Sequence, residues 1–271
     1  MEPSTAARRR GATLAIAAAA LVLVAAGVPA ARLPVAALLV SGCAVLLAAR
    51  QPGGIAWAGC VPVALALAWP EVAGRDLPLG PACADPASPI LLRRLGEAAL
   101  VLGSVAVLLA VLRRSPAELG IAGPGRQASA AGLALVAGGA VASLAVGPVV
   151  ARPFFGEVAF EVPVAAVAPA LAFAAANGVL EEVAYRGAMR TWLGEAIGVR
   201  PAILVQGVAF GLAHAGTDVT AFLPLHVTLL SLAGIVAGIV ATRMRSLWLV
   251  VAVHVGADIA LYYGLACRAA A

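Results

Sequence analysis

The sequence predicts an all-α, polytopic transmembrane helix bundle of about 8-9 spans, and three observations carry that reading. Hydrophobic residues make up 63% of the 271-residue chain and its mean hydropathy is +1.02, well above soluble domains, in which roughly half of the residues are apolar. The apolar residues fall in runs of spanning length separated by short polar joints. All 18 basic residues are arginine, and with the amino terminus inside, twelve lie on the inner side and six outside. That bias is what the positive-inside rule requires.

Taken in order, Arg8-Arg9-Arg10 precedes a first apolar run over residues 11–31. A basic leader before an apolar stretch also describes a secretory signal, but further spans follow at once, so an uncleaved anchor is expected. Residues 33–49, bracketed by Arg32 and Arg50, form a second span and residues 53–73 a third. A Pro- and Gly-rich loop over 74–92 carries Cys83 and Asp85. Residues 95–112 make the fourth span, with Glu97 expected at the interface. Ser115-Pro116 with Glu118 three residues after the serine has helix-start chemistry and predicts a short surface helix.

Residues 129–149 form a fifth span, followed by a loop with Glu157 and Glu161, and residues 164–182 a sixth. Arg190, Trp192 and Glu195 then suggest an interfacial helix closed by Gly198, with three more spans over 202–215, 221–242 and 247–265. Trp57, Trp69, Trp192 and Trp248 are expected as interface anchors. Gly234 and Gly238 form a Gly-x-x-x-Gly suited to packing within the chain. Buried polar groups are almost absent before Ala128 and frequent after it, which divides the chain into amino-terminal spans, 1–128, and a catalytic helix bundle, 129–271.

The formal charge of +5 does not indicate nucleic acid, because the arginines are scattered singly or in pairs between spans. The four cysteines show no CxxC pairing, which removes the common zinc and thioredoxin patterns. Cys43 and Cys60 read as packing residues, whereas Cys83 and Cys267 both fall outside and could be bridged.

Chemistry concentrates in three pairs at four-residue spacing: Glu182 with Arg186, Phe210 with His214, and His254 with Asp258, with Glu181 beside the first. A charge within a span is costly and marks a site by default. Residues four apart share one helical face, so His254 and Asp258 can touch a common atom. One carboxylate with two imidazoles supports two mechanisms of attack on an amide. In one, His214, His254 and either Glu181 or Asp258 bind Zn²⁺ and acidify its water. In the other, Glu181 is the general base on a water that His214 orients, with His254 and Asp258 stabilising the oxyanion. The residues leave both open, with either no cofactor or zinc. Asn177, one turn before Glu181, could orient it or bond between helices, and His226 is assigned to packing.

Glu-Glu-x-x-x-Arg, then Phe-x-x-x-His, then His-x-x-x-Asp, in that order over residues 115–265, resembles the CAAX protease and bacteriocin-processing (CPBP, or Abi) family of intramembrane endopeptidases. The resemblance implies that Glu181 is the essential base, Glu182 its neighbour, Arg186 a structural arginine, His214 the water-orienting histidine and His254 the first oxyanion residue. Asp258 stands where the CAAX-processing enzymes have asparagine, and an ionised aspartate cannot donate a hydrogen bond. The expected partners are a membrane-anchored protein or peptide substrate and the lipid bilayer, with no nucleic acid, and the expected location is the cell membrane. A proton-coupled transporter or a non-catalytic scaffold is the alternative, opposed by the uneven distribution of polar residues between the halves. One difficulty is depth: if the sixth span ends near Glu182, His214 stands about 20 Å above Glu181. The sixth helix must then continue past Gly187, or the seventh must begin later.

Overall fold

The computed structural model describes residues 4–74, 89–121, 130–155, 164–216 and 223–266. Cys83, Cys267, Glu157, Glu161 and the Ala128 boundary lie outside them. The described residues form α1 (Thr5–Gly27), α2 (Arg32–Ala48), α3 (Gly54–Ala73), α4 (Pro89–Leu112), α5 (Ala130–Phe155), α6 (Val167–Glu181), α7 (Arg190–Ile197), α8 (Val199–Ala213), α9 (Leu223–Met244) and α10 (Trp248–Ala266). Seven helical stretches are long and apolar enough to cross a membrane, and two shorter apolar helices, Val199–Ala213 and Trp248–Tyr263, accompany them. The bundle is thus the expected polytopic one.

The largest difference from the sequence reading lies between α6 and α7. No interfacial break occurs there: a π-helical segment, Glu182–Met189, joins them, so that Val164–Ile197 is one 34-residue stretch. All eight residues of the π segment are buried, packed by α3, α4, α7 and α8. Of the charged side chains that read as an interface, Arg190 is therefore part-buried, while Glu195 stays exposed. Trp192 is fully buried and Trp57 nearly so, which corrects their assignment as anchors. The Trp57 indole donates instead to the Leu14 carbonyl oxygen at 2.8 Å, tying α3 to α1. Trp248 is exposed, as an anchor should be.

Glycines let α8 and α9 approach closely. A Cβ on Gly234 would stand 2.9 Å from the Gly207 Cα, and one on Gly211 would collide with Ser231 and the Val227 carbonyl oxygen. Gln206, fully buried, donates across this contact to the Gly234 carbonyl oxygen at 2.9 Å. Gly234 and Gly238 thus serve packing within the chain. Replacing Gly211 by valine is expected to cost about 1–3 kcal/mol through overpacking, measurable as a lowered unfolding midpoint in detergent.

After α4, the expected capping box is present: the Glu118 carboxylate accepts from the Ser115 N–H at 3.1 Å, and Ser115 Oγ accepts from the Ala117 N–H at 3.2 Å. It starts a single 3₁₀ turn, Pro116–Leu119, whose Leu119 is buried. Arg114 joins Glu118 at 2.8 Å to Glu195 of α7 at 2.6 Å. The Arg114 hydrogen bond, then that from the Ser115 N–H, holds the Glu118 carboxyl below its ordinary value. Its stabilisation is present above the ordinary carboxyl value of about 4.3 and fades as pH falls through the lowered one. Because Glu118 is exposed the effect is small, and Glu118→Gln is expected to remove that shallow acid dependence from thermal melts taken between neutral and acid pH.

Candidate active site

Continuity from α6 to α7 settles the depth of the polar residues. Glu181 precedes Gly198 by 17 residues and His214 follows it by 16, so at 1.5 Å per residue both stand roughly 25 Å from that corner. Of the two routes that could bring them level, the chain takes the first, prolonging the sixth helix. Helix α10 enters the same layer because Leu247 packs at Gly187 and its N–H donates to the Gly120 carbonyl oxygen at 3.0 Å.

His254 sits at the centre. Its Nδ1–H donates to Glu182 Oε1 at 2.8 Å, while Nε2 faces Glu181 Oε2 at 3.5 Å and Asp258 Oδ2 at 3.6 Å. The i,i+4 spacing of His254 and Asp258 therefore places them together, as the helical period predicts. Arg186 approaches the same Glu182 oxygen at 3.1 Å, and its guanidinium lies 4.1 Å from the Phe210 ring centre. Glu182 and Arg186 are almost wholly buried.

The two adjacent acids have different surroundings, because neighbouring residues on a helix point about 100° apart. Glu182 is held by an arginine and a histidine. Both acids keep a buried Oε2 without a hydrogen-bond partner, but the Glu181 side chain is 13% exposed against 3% for Glu182. One of the pair is an anchored counter-ion and the other makes only a 3.5 Å contact with an imidazole.

Helix α8 supplies Phe210 and His214. His214 Nδ1–H donates to the Phe210 carbonyl oxygen at 2.8 Å, which is the i−4 bond that a helix end leaves open and which fixes the ring's orientation. The Phe210 ring touches both imidazoles, with centroids 4.8 Å from His214 and 6.1 Å from His254. Tyr185 stands edge-on to it at 5.4 Å. Phe210 is thus the apolar wall between the two histidines.

Three further polar residues join the cluster. Asn177 donates through Nδ2 to Asp258 Oδ2 at 2.7 Å, bonding α6 to α10; its partner is Asp258 rather than Glu181. His226, read as a packing residue, is buried with its ring 6.3 Å from that of His214. Glu97, expected at the interface, is also buried; it accepts from Arg94 Nη1 at 2.9 Å and lies within electrostatic range of Glu181. An i,i+3 ion pair within an apolar span was the available signal for Glu97. His226 has no polar residue at helical spacing and offers none. Removing the Asn177 amide leaves a buried carboxylate short of a donor, so Asn177→Leu is expected to cost about 1.5–3 kcal/mol, read from chemical denaturation in detergent.

Among the described residues no three His, Cys, Asp or Glu side chains converge in a way that could hold a metal ion. The candidate ligands His214 and His254 each donate Nδ1–H, to a carbonyl oxygen and to a carboxylate, which leaves Nε2 as the ligating atom. What is missing is convergence: without a third donor meeting them, the described residues do not make a zinc site.

The stretch that carries these groups is similar to a known family. A model of the family described as type II CAAX prenyl endopeptidase Rce1-like matches residues 163–260. The chain carries an Rce1-like segment. That segment begins just before α6 and ends within α10, so it spans Glu181, Glu182, Arg186, His214, His254 and Asp258 and leaves α1 to α5 outside. It supports a CAAX-type intramembrane endopeptidase in general. No curated protein and no solved structure matches the chain.

Proposed function

We propose that the chain hydrolyses a peptide bond in a membrane-proximal or carboxy-terminal segment of a membrane-bound protein or peptide, using a water activated by Glu181 in the cell membrane. The observation that supports this reading is the asymmetry of the two acids: Glu182 Oε1 is held by His254 Nδ1–H and by Arg186, while Glu181, the more exposed of the two, has only a 3.5 Å contact with His254 Nε2.

Glu181 takes a proton from water as the oxygen attacks the substrate carbonyl carbon, and the carbonyl π electrons move to the oxygen. His214 orients the water, and His254, when protonated at Nε2, donates to the oxyanion. Collapse of the tetrahedral intermediate breaks the C–N bond, and Glu181 returns its proton to the leaving amine. Asp258 serves as a positioning residue, since its carboxylate accepts from Asn177 and faces the His254 ring. Glu182 and Arg186 hold that ring from the other nitrogen. The apolar wall of Phe210 keeps bulk water out and strengthens each of these interactions.

The test is single-turnover cleavage of a panel of membrane-anchored peptides by the purified chain in ¹⁸O-labelled water. Attack by water places one label in the new carboxylate during the first turnover. Unlabelled product in that turnover would show that an enzyme carboxylate attacks the carbonyl, and the water mechanism would fall. Absence of any cleavage across the panel, together with proton-driven uptake in proteoliposomes, would favour transport.

A further inference from the structure

Below the candidate site, reaching Val199 beside the Gly198 corner, lies a cavity of about 300 Å³ whose lining includes Glu118, Arg190, Thr191, Thr242 and Arg245. Its wall is cationic in a way that nothing in the proposed hydrolysis uses. Arg190 spends three of its five N–H groups: Nε on the Arg186 carbonyl oxygen at 2.7 Å, Nη1 on Thr242 Oγ1 at 2.5 Å and Nη2 on Thr191 Oγ1 at 3.1 Å. All three acceptors are neutral. Among the described residues no carboxylate pairs with Arg190 or with Arg245. A part-buried guanidinium without a counter-charge is unusual, since buried charges are paired or bind ions. Glu118, the acid in the lining, is already spent on Arg114 and the Ser115 N–H.

Arg245 adds a second cation to the lining. It follows α9 with φ +53°, a left-handed conformation normally left to glycine,. Arg50 and Arg113 end α2 and α4 in the same way, so the device itself closes helices and places a cation at the negative end of the helix dipole. Of the three, Arg245 lines the cavity, together with the Arg190 guanidinium that lacks an anion.

We propose that this cavity binds a phosphate group, with Arg190 and Arg245 as its cationic walls. Guanidinium groups pair with phosphate through parallel N–H donors, and the volume is ample for a phosphodiester. The phosphate belongs either to an anionic phospholipid headgroup or to free phosphate in solution. Arg243 and Arg200, both exposed, extend positive charge beside the cavity and favour an anionic surface. Because Arg190 Nε donates to the Arg186 carbonyl oxygen, the bound phosphate is one helical turn from the Arg186–Glu182 pair.

The test uses the purified full chain in neutral detergent, with thermal unfolding followed as short-chain phosphatidylglycerol, phosphatidylcholine of equal chain length, or inorganic phosphate is titrated in. Saturable stabilisation by phosphatidylglycerol but not phosphatidylcholine is expected, with about a tenfold loss of apparent affinity in Arg245→Gln and recovery in Arg245→Lys. Arg50→Gln, a matched arginine outside the cavity, is expected to bind as wild type does. Stabilisation by inorganic phosphate alone identifies free phosphate as the ligand, and its absence identifies the headgroup. Equal stabilisation by phosphatidylcholine, unchanged binding by Arg245→Gln, or equal loss in Arg50→Gln would overturn the proposal.

Discussion

Replacing Glu182 by glutamine is expected to lower the unfolding free energy by about 3–5 kcal/mol, the usual effect of removing one partner from a buried ion pair. The substitution is nearly isosteric, so packing contributes little to the loss. What changes is charge: Arg186 is 1% exposed and Glu182 2%, and the carboxylate oxygen that approaches Arg186 also accepts from His254 Nδ1–H. An amide in its place leaves the guanidinium without its buried counter-charge, at a position only 1% exposed. The Phe210 ring, 4.1 Å from the guanidinium, recovers only part of this, since a cation–π contact is worth about 0.5–2 kcal/mol. Chemical denaturation in detergent measures the difference. The double variant Glu182→Leu, Arg186→Met is expected to be more stable than either single one, because removing both charges removes the penalty as well as the attraction. A Glu182→Gln protein as stable as wild type would mean that the pair is solvated, and the anchoring role of Glu182 would be lost.

Within the candidate site, what could be read in advance was whatever obeys helical period. His254 with Asp258, and Glu182 with Arg186, are four residues apart, and both pairs meet. The continuation of α6 through the π segment was less legible, because Arg186, Arg190 and Glu195 resemble the polar edge of a span. Their placement depends on partners remote in sequence: Arg190, part-buried, is held by Thr242, and Glu195, exposed, by Arg114. No composition rule anticipates such long-range pairing. The π segment leaves no residue signature either, since it shifts the backbone hydrogen-bond register without requiring a particular side chain. Trp192 illustrates the cost: as an amphipathic residue next to charges it reads as an anchor, yet it is fully enclosed once the helix carries on. Asn177 was legible as a polar group on the face of Glu181, but its choice of Asp258 is set by how α10 lies against α6, and only the packed bundle decides that.

Replacing Glu181 by glutamine should have the opposite profile, and the contrast tests the division of labour between the two acids. Peptide hydrolysis is expected to fall about 10²–10⁴-fold, the range for loss of a general base, because an amide cannot accept the proton of the attacking water. Stability is expected to stay within about 0.5 kcal/mol of wild type, the range for substitutions that break no buried network, since Glu181 Oε2 makes no hydrogen bond and its contact with His254 is 3.5 Å long. Relief of electrostatic repulsion towards the buried Glu97 works in the same direction and should offset any loss of the His254 contact. The measurement pairs cleavage rates with unfolding free energies for both glutamine variants, prepared alike. Activity lost with the fold intact in Glu181→Gln, beside a weakened fold in Glu182→Gln, is the pattern of a base next to an anchor. If Glu181→Gln keeps more than about a tenth of the wild-type rate, the proton must leave the water by another route, and His254, whose Nε2 faces the same space, becomes the first group to vary.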